Sequence, residues 1–155
     1  MSIMAEIRSA TRADIAALLP LIQGYYADSP VPHNVDEVAL SAHLERLVQP
    51  DNPLGGLLVV VADDETLVGF AFLYYGFDKR TLKRTVTLND LYVAPAARRR
   101  GWARQLLTAT FEWAAARHAL QVQWQTRTSN HKAQGLYDTM GEKEQGWVHY
   151  FHPLS

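Results

Sequence analysis

"LNDLYVAPAARRRGWARQLL", residues 88–107, changes character twice in twenty positions. Leu88–Val93 is extended and apolar-rich, and Pro95 stops it, because proline cannot donate to a central ladder. Arg98, Arg99 and Arg100 then stand before Gly101, and Leu106, Leu107, Thr110, Phe111 and Ala114 recur at helical spacing behind it. The stretch therefore predicts a strand, a basic turn and a helix from about Trp102 to His118. A helix start is already positive, so three arginines against it need either an anion or full solvation. The first four N–H groups of a helix lack intrahelical partners and can bind a phosphate. Gly101 and Ala103 are small enough for a ligand to approach closely, and arginines add charge-assisted bonds. The alternative is an ordinary turn with a solvated basic patch.

Working outward, "EIRSA" at Glu6–Ala10 reads as a first strand. Thr11 and Asp14 form a capping pattern ahead of Ile15, Leu18, Leu19 and Ile22, a helix to about Tyr26. Asn34 and Glu37 repeat the pattern before a second helix to about Gln49. "LLVVVAD" (57–63), "LVGFAFLYYG" (67–76) and "RTVTLNDLYV" (84–93) are three strands in meander. "LQVQWQTR" (120–127) is a strand, "HKAQGLYDTM" (131–140) a helix ending near Gly141, and "WVHYFH" (147–152) a last strand. The strand–helix–strand crossover makes the strands around Leu91 and Val122 parallel neighbours. The order β-α-α-β-β-β-α-β-α-β predicts one α/β (α+β) domain over residues 1–155. Its sheet is mixed and mostly antiparallel, with one parallel pair and helices on both faces.

The chain has 155 residues, a formal net charge of −1 and no cysteine. There is no global field to draw nucleic acid or an anionic membrane. No apolar run reaches the roughly 18 residues that span a bilayer, and no apolar leader is visible at the start. Without cysteine there is no disulfide, thiolate metal site or cysteine acyl-enzyme, which fits a cytoplasmic protein. His149 and His152 are three apart on a predicted strand, so they point to opposite faces and share no metal. No metal site is expected.

Val93, Arg98, Gly101 and Ala103, followed by Asn130, Ala133, Leu136, Tyr137 and Gly141, make a double motif that resembles the GNAT superfamily of acyl-CoA N-acyltransferases. The likeness is sharp over Leu88–Gly141 and topological before it. Within the superfamily it looks most like the histone or D-amino-acid acetyltransferase branch. The resemblance implies acetyl-CoA as co-substrate. Its pyrophosphate would lie on Arg98, Arg99, Arg100, Gly101, Trp102, Ala103 and Arg104, its carbonyl near the backbone of Leu91, Tyr92 and Val93, and its pantetheine arm near Asn130 and Ala133. Trp102 either stacks on the cofactor or faces the core. Tyr137 would protonate the departing sulfur; read from the residues alone, it could equally be a core tyrosine.

The amine must lose a proton before it attacks. The position matching the base of some relatives is Asn89, with Asp90 beside it, a carboxylate that could end the proton path or pair with a nearby arginine; strand alternation turns the two to opposite faces, so one alone can face the reacting centre. Tyr25, Tyr26 and Asp28, in "GYYADSPVPHN", would suit a cationic amine through ring faces and a carboxylate, or form a surface patch. Three functions follow: acetylation of a small-molecule amine or amino acid, acetylation of a protein lysine or N-terminus, or a CoA-binding module without catalysis. A polar strand at Gln121–Gln125 and an aromatic last strand that needs cover suggest a homodimer or larger assembly.

Overall fold

The computed structural model describes residues 5–154. It contains β1 (Glu6–Ser9), α1 (Ile15–Asp28), α2 (Glu37–Leu47), β2 (Gly55–Val61), β3 (Leu67–Phe77), β4 (Arg84–Val93), α3 (Trp102–Ala116), β5 (Val122–Gln123) and α4 (His131–Tyr137). The chain divides into a larger unit ending at Trp124 and a smaller one beginning at Gln125.

In the larger unit the five strands lie in sequence order. β1 to β4 are antiparallel, and β4 pairs with β5 in parallel through Val86 opposite Val122 and Thr87 opposite Gln123. The parallel pair thus forms lower on β4 than Leu91. Alternation divides the sheet between two cores. Leu57, Val59, Phe70, Phe72 and Tyr92 pack with Leu18 and Ile22 of α1 and Leu40 and Leu44 of α2. On the opposite face Gly56 lies against the Trp113 ring of α3, where any Cβ would collide.

The helix starts illustrate how local chemistry sets boundaries. Asp14 accepts the Thr11 N–H at 2.7 Å and is gripped by Arg8 at 2.7 and 3.0 Å, which holds its carboxyl below the ordinary range. A single 3₁₀ turn at Arg12–Asp14 then leads into α1. α2 is capped by Asp36, whose side chain accepts from the Ala39 N–H at 3.0 Å, and not by Asn34.

β4 carries the irregularity that matters most. Phe72 faces Asp90 and Leu73 faces Leu88, so Asn89 is an extra residue in the strand. One extra residue reverses the parity of all that follow. Asp90 and Tyr92 therefore join Phe72 and Phe70 on the α1–α2 face. In an unbroken strand they would follow Val86 and Leu88 to the other side.

Among the described residues, the smaller unit holds α4 and no strand. "WVHYFH" is not a strand: Trp147, Val148, Tyr150 and Phe151 are exposed in irregular backbone. A strand exists only through a ladder of partner groups. Among the described residues, no helix is long and apolar enough to cross a membrane.

Candidate active site

After β4, one 3₁₀ turn at Pro95–Ala97 leads to Gly101, which sits just before α3 with φ of 78°. That is the left-handed region, costing a side-chain-bearing residue about 1–2 kcal/mol. A Cβ there would meet nothing nearer than Gln105 Nε2 at 3.9 Å. The glycine is thus demanded by its dihedral angle, and the space before the α3 N-terminus is open. Arg99 is also left-handed, at φ 67°. Two such residues in three positions wrap the chain into a concave turn at the helix's positive end.

The arginines divide their work. Arg98 turns back to the sheet: its Nε donates to the Val93 carbonyl at 2.8 Å and its guanidinium reaches Asp28 at 3.7 Å. Arg99, Arg100 and Arg104 are exposed, while Trp102 and Ala103 are half-buried. Trp102 thus neither sits fully in the core nor stands fully in solvent. Val93 is buried and Leu91 half-buried. Tyr92 is buried with its ring on the α1–α2 face, so only its backbone can serve a ligand at the turn.

Three residues up β4 from Val93, Asp90 lines a cleft of ≈ 190 Å³. α1 supplies Tyr25 and Tyr26, and β3 supplies Phe72 and Tyr74. α2 and the residues before it close the cleft with Leu40, His43, Ala39 and Val35. The Tyr25 hydroxyl donates to Asp90 Oδ1 at 2.7 Å, and Asn89 Nδ2 donates to Oδ2 at 2.8 Å. The expectation that Asn89 and Asp90 face opposite ways fails here, because the bulge at Asn89 breaks alternation. His43 Nε2 and the Tyr74 hydroxyl share a hydrogen bond of 2.8 Å.

Burial, reinforced by Asp90, raises all three phenols. Tyr25 moves far above the ordinary range, Tyr26 moves up, and Tyr74 is pushed up to about 12. The hydroxyls therefore stay protonated at neutral pH, and the cleft keeps one carboxylate within an aromatic wall.

Asp28, expected beside Tyr25 and Tyr26, is not among the residues lining this cleft. It accepts the Tyr92 hydroxyl at 2.8 Å and pairs with Arg98. Asp28 lies about one turn beyond Tyr25, at the last turn of α1, where Tyr92 at the end of β4 and Arg98 beyond it come within its reach. Phe77 is exposed, and Asp78 is taken up by its own turn with Thr81.

In the smaller unit, Asn130 caps α4 by accepting from the Ala133 N–H at 3.2 Å and also donates to Thr126 at 3.2 Å. Tyr137 closes the helix half-buried, with its phenol raised by burial. Ala133 is half-buried one turn earlier.

His43, Tyr74, Phe72 and Leu40 escaped sequence reasoning. Signals for them existed. Phe70, Phe72 and Tyr74 alternate along β3, and His43 sits on the same helical stripe as Leu40, Leu44 and Leu47. A polar ring on an apolar stripe points inward. Among the described residues, no three His, Asp or Glu side chains cluster so as to hold a metal.

Residues 18–141 match the profile of the Acetyltransferase (GNAT) family. An uncharacterized N-acetyltransferase of Bacillus subtilis (strain 168), YhfO, is 33% identical over 94% of this chain and 95% of its own. The crystal structure of a probable acetyltransferase superposes with a TM-score of 0.79 at 30% identity, covering 97% of this chain and 98% of that one. The D-amino-acid N-acetyltransferase HPA3 of Saccharomyces cerevisiae is 31% identical over 63% of this chain and 61% of its own.

Proposed function

The chain belongs to the GNAT acetyltransferase family, and on that premise we propose that it transfers an acetyl group from acetyl-CoA to a primary amine of a small molecule or amino acid. The amine attacks directly in a ternary complex. The observation that carries this reading is the double use of β4: the strand presents Asp90 to the aromatic cleft and runs out into the left-handed Gly101 turn. An ammonium held at Asp90 and a phosphate-bearing co-substrate held at the turn meet along one strand.

Acetyl-CoA supplies the acetyl thioester. The α3 N-terminus, with exposed Arg98, Arg99, Arg100 and Arg104, meets the pyrophosphate beside Gly101, Trp102 and Ala103. A backbone N–H in Leu91–Val93 polarises the carbonyl. Asn130 and Ala133 border the pantetheine arm, and Tyr137 holds the proton for the departing sulfur. Asp90, oriented by Tyr25 and Asn89, binds the ammonium. Freeing such an amine of its proton at pH 7 costs about 4–5 kcal/mol, so ammonium binding and deprotonation are separate demands on the cleft.

The test is release of free thiol from acetyl-CoA with pooled amines, amino acids and peptides. Direct transfer gives intersecting lines in initial-rate plots against both substrates; parallel lines would mean a covalent acyl-enzyme and overturn the ternary route. The lack of cysteine supports a cytoplasmic setting. The exposed Trp147, Val148, Tyr150 and Phe151 support a homodimer or larger assembly. A monomer by light scattering at micromolar concentration would remove that part.

A further inference from the structure

The acceptor cleft is chemically one-sided. Its lining includes one carboxylate, Asp90, and no lysine or arginine. The single imidazole on the wall, His43, is engaged through Nε2 with Tyr74. The rest is ring and hydrocarbon: Tyr25, Tyr26 and Phe72, with Leu40 across from them. Ring faces carry negative potential. They attract a cation, and Asp90 adds a full charge to the attraction. The same wall repels an anion. An amino acid brings both charges, joined by one carbon, so its carboxylate would enter the cleft close behind its ammonium. There it would lose water, face negative ring surfaces and Asp90, and find no lysine or arginine on the wall.

Resting on the acetyltransferase reading, we infer that the acceptor is a small monocationic amine without a carboxylate, an alkyl- or arylalkylamine and not a free amino acid. Size agrees: ≈ 190 Å³ is below the roughly 300–1,000 Å³ of pockets for drug-sized ligands. Polycationic multi-ring amines need several carboxylates, and one lines the cleft. The yeast relative named for D-amino acids aligns with 63% of this chain, so on this inference the two differ in acceptor.

The test uses matched acceptors with the whole chain: 2-phenylethylamine, D- and L-phenylalanine, and phenylalaninamide. Phenylalaninamide keeps the bulk of the amino acid and removes its negative charge. Calorimetry without acetyl-CoA and thiol release with it are measured in parallel. The amine is expected to exceed both amino acids by about a hundredfold or more in affinity and in kcat/KM, and the amide to recover to within about tenfold of the amine. Ala39→Arg, a change on the exposed side of α2, places a guanidinium at the cleft and is expected to raise phenylalanine relative to the amine at least about tenfold. Phenylalanine within tenfold of the amine overturns the inference, and so does an amide as poor as the acid, which would indicate bulk and not charge. Preference for a lysine side chain in a peptide over every free amine overturns its small-molecule part. Selective amine binding with no thiol release from any acceptor would sink the acetyltransferase reading, and the inference would survive only as the cleft's selectivity for a carboxylate-free amine as ligand.

Discussion

The Gly101 turn and the Asp90 cleft lie at neighbouring points of β4, yet they are built in opposite ways. The turn is made of consecutive residues and works through its backbone: two left-handed dihedrals and a helix start. The cleft is made of side chains from α1, α2, β3 and β4, with Tyr25 bonded to a partner 65 positions away. A backbone site is rigid in its own segment and tolerates changes elsewhere. A side-chain site depends on every element keeping its register, above all on the bulge at Asn89. The two should therefore fail independently when mutated.

The largest effect is expected outside both. Tyr137→Phe removes one hydroxyl and little volume, and turnover should fall by about 10²–10⁴, with acetyl-CoA affinity and amine affinity both kept. Burial disfavours the phenolate, so Tyr137 holds its proton to a pH above the ordinary phenol value of about 10. The wild-type rate should thus show no alkaline loss from this group below about pH 10. Wild-type turnover in the variant would make Tyr137 a packing residue.

Next comes Gly101→Val, which puts a β-branched side chain at φ 78°. The cost of about 1–2 kcal/mol should appear as acetyl-CoA binding weakened by about five- to thirtyfold, with circular dichroism unchanged. Calorimetric binding of an amine to the cleft should be unaffected. Coupled loss of both affinities would break the independence of the two regions.

Asp90→Asn tests the cleft from the other side. It keeps the shape and the partners Tyr25 and Asn89 and removes the charge. A lost charge-assisted bond of about 1.5–3 kcal/mol corresponds to a KM for a cationic amine raised by about ten- to a hundredfold, with acetyl-CoA affinity unchanged. If kcat falls instead and KM holds, Asp90 acts on the proton and not on binding.

The same contrast explains what was legible in the sequence. The strand–turn–helix at 88–107 was readable because proline, glycine and helical spacing are local signals. The cleft was half readable. Tyr25 and Tyr26 stood next to each other, but Phe72, Tyr74 and His43 join them only through the sheet and the packing of α2. Asn89 and Asp90 were read with the wrong mutual orientation, because a one-residue bulge leaves no local mark while it reverses every side chain after it. Asp36 outcompeted Asn34 as a cap because either type can fill that role, and the choice depends on where the loop joins α2. "WVHYFH" has the aromatic and β-branched composition of a strand, but composition provides no partner.

The smallest effect is expected where the two regions touch. Asp28 was placed by sequence proximity beside Tyr25 and Tyr26, as a carboxylate for the amine. In the structure it binds the Tyr92 hydroxyl and the guanidinium of Arg98, tying the end of α1 to the end of β4. Both partners of the Arg98 pair are half in solvent, so its contribution to stability is small, about 0–1 kcal/mol. Asp28→Asn keeps an acceptor oxygen for Tyr92 and removes the charge facing Arg98. The KM for a cationic amine should stay within about twofold of wild type, since no anion has left the cleft. Acetyl-CoA affinity should hold or rise slightly, because Arg98 loses a carboxylate that competes with phosphate for its charge. The pairing is open to solvent and should be screened, so raising ionic strength to about 1 M should erase the difference between variant and wild type in acetyl-CoA affinity. A tenfold rise in amine KM with Asp28→Asn, alongside no rise with Asp90→Asn, would reverse the two carboxylates. The acceptor would then lie at the end of α1, and the aromatic cleft would be packing alone.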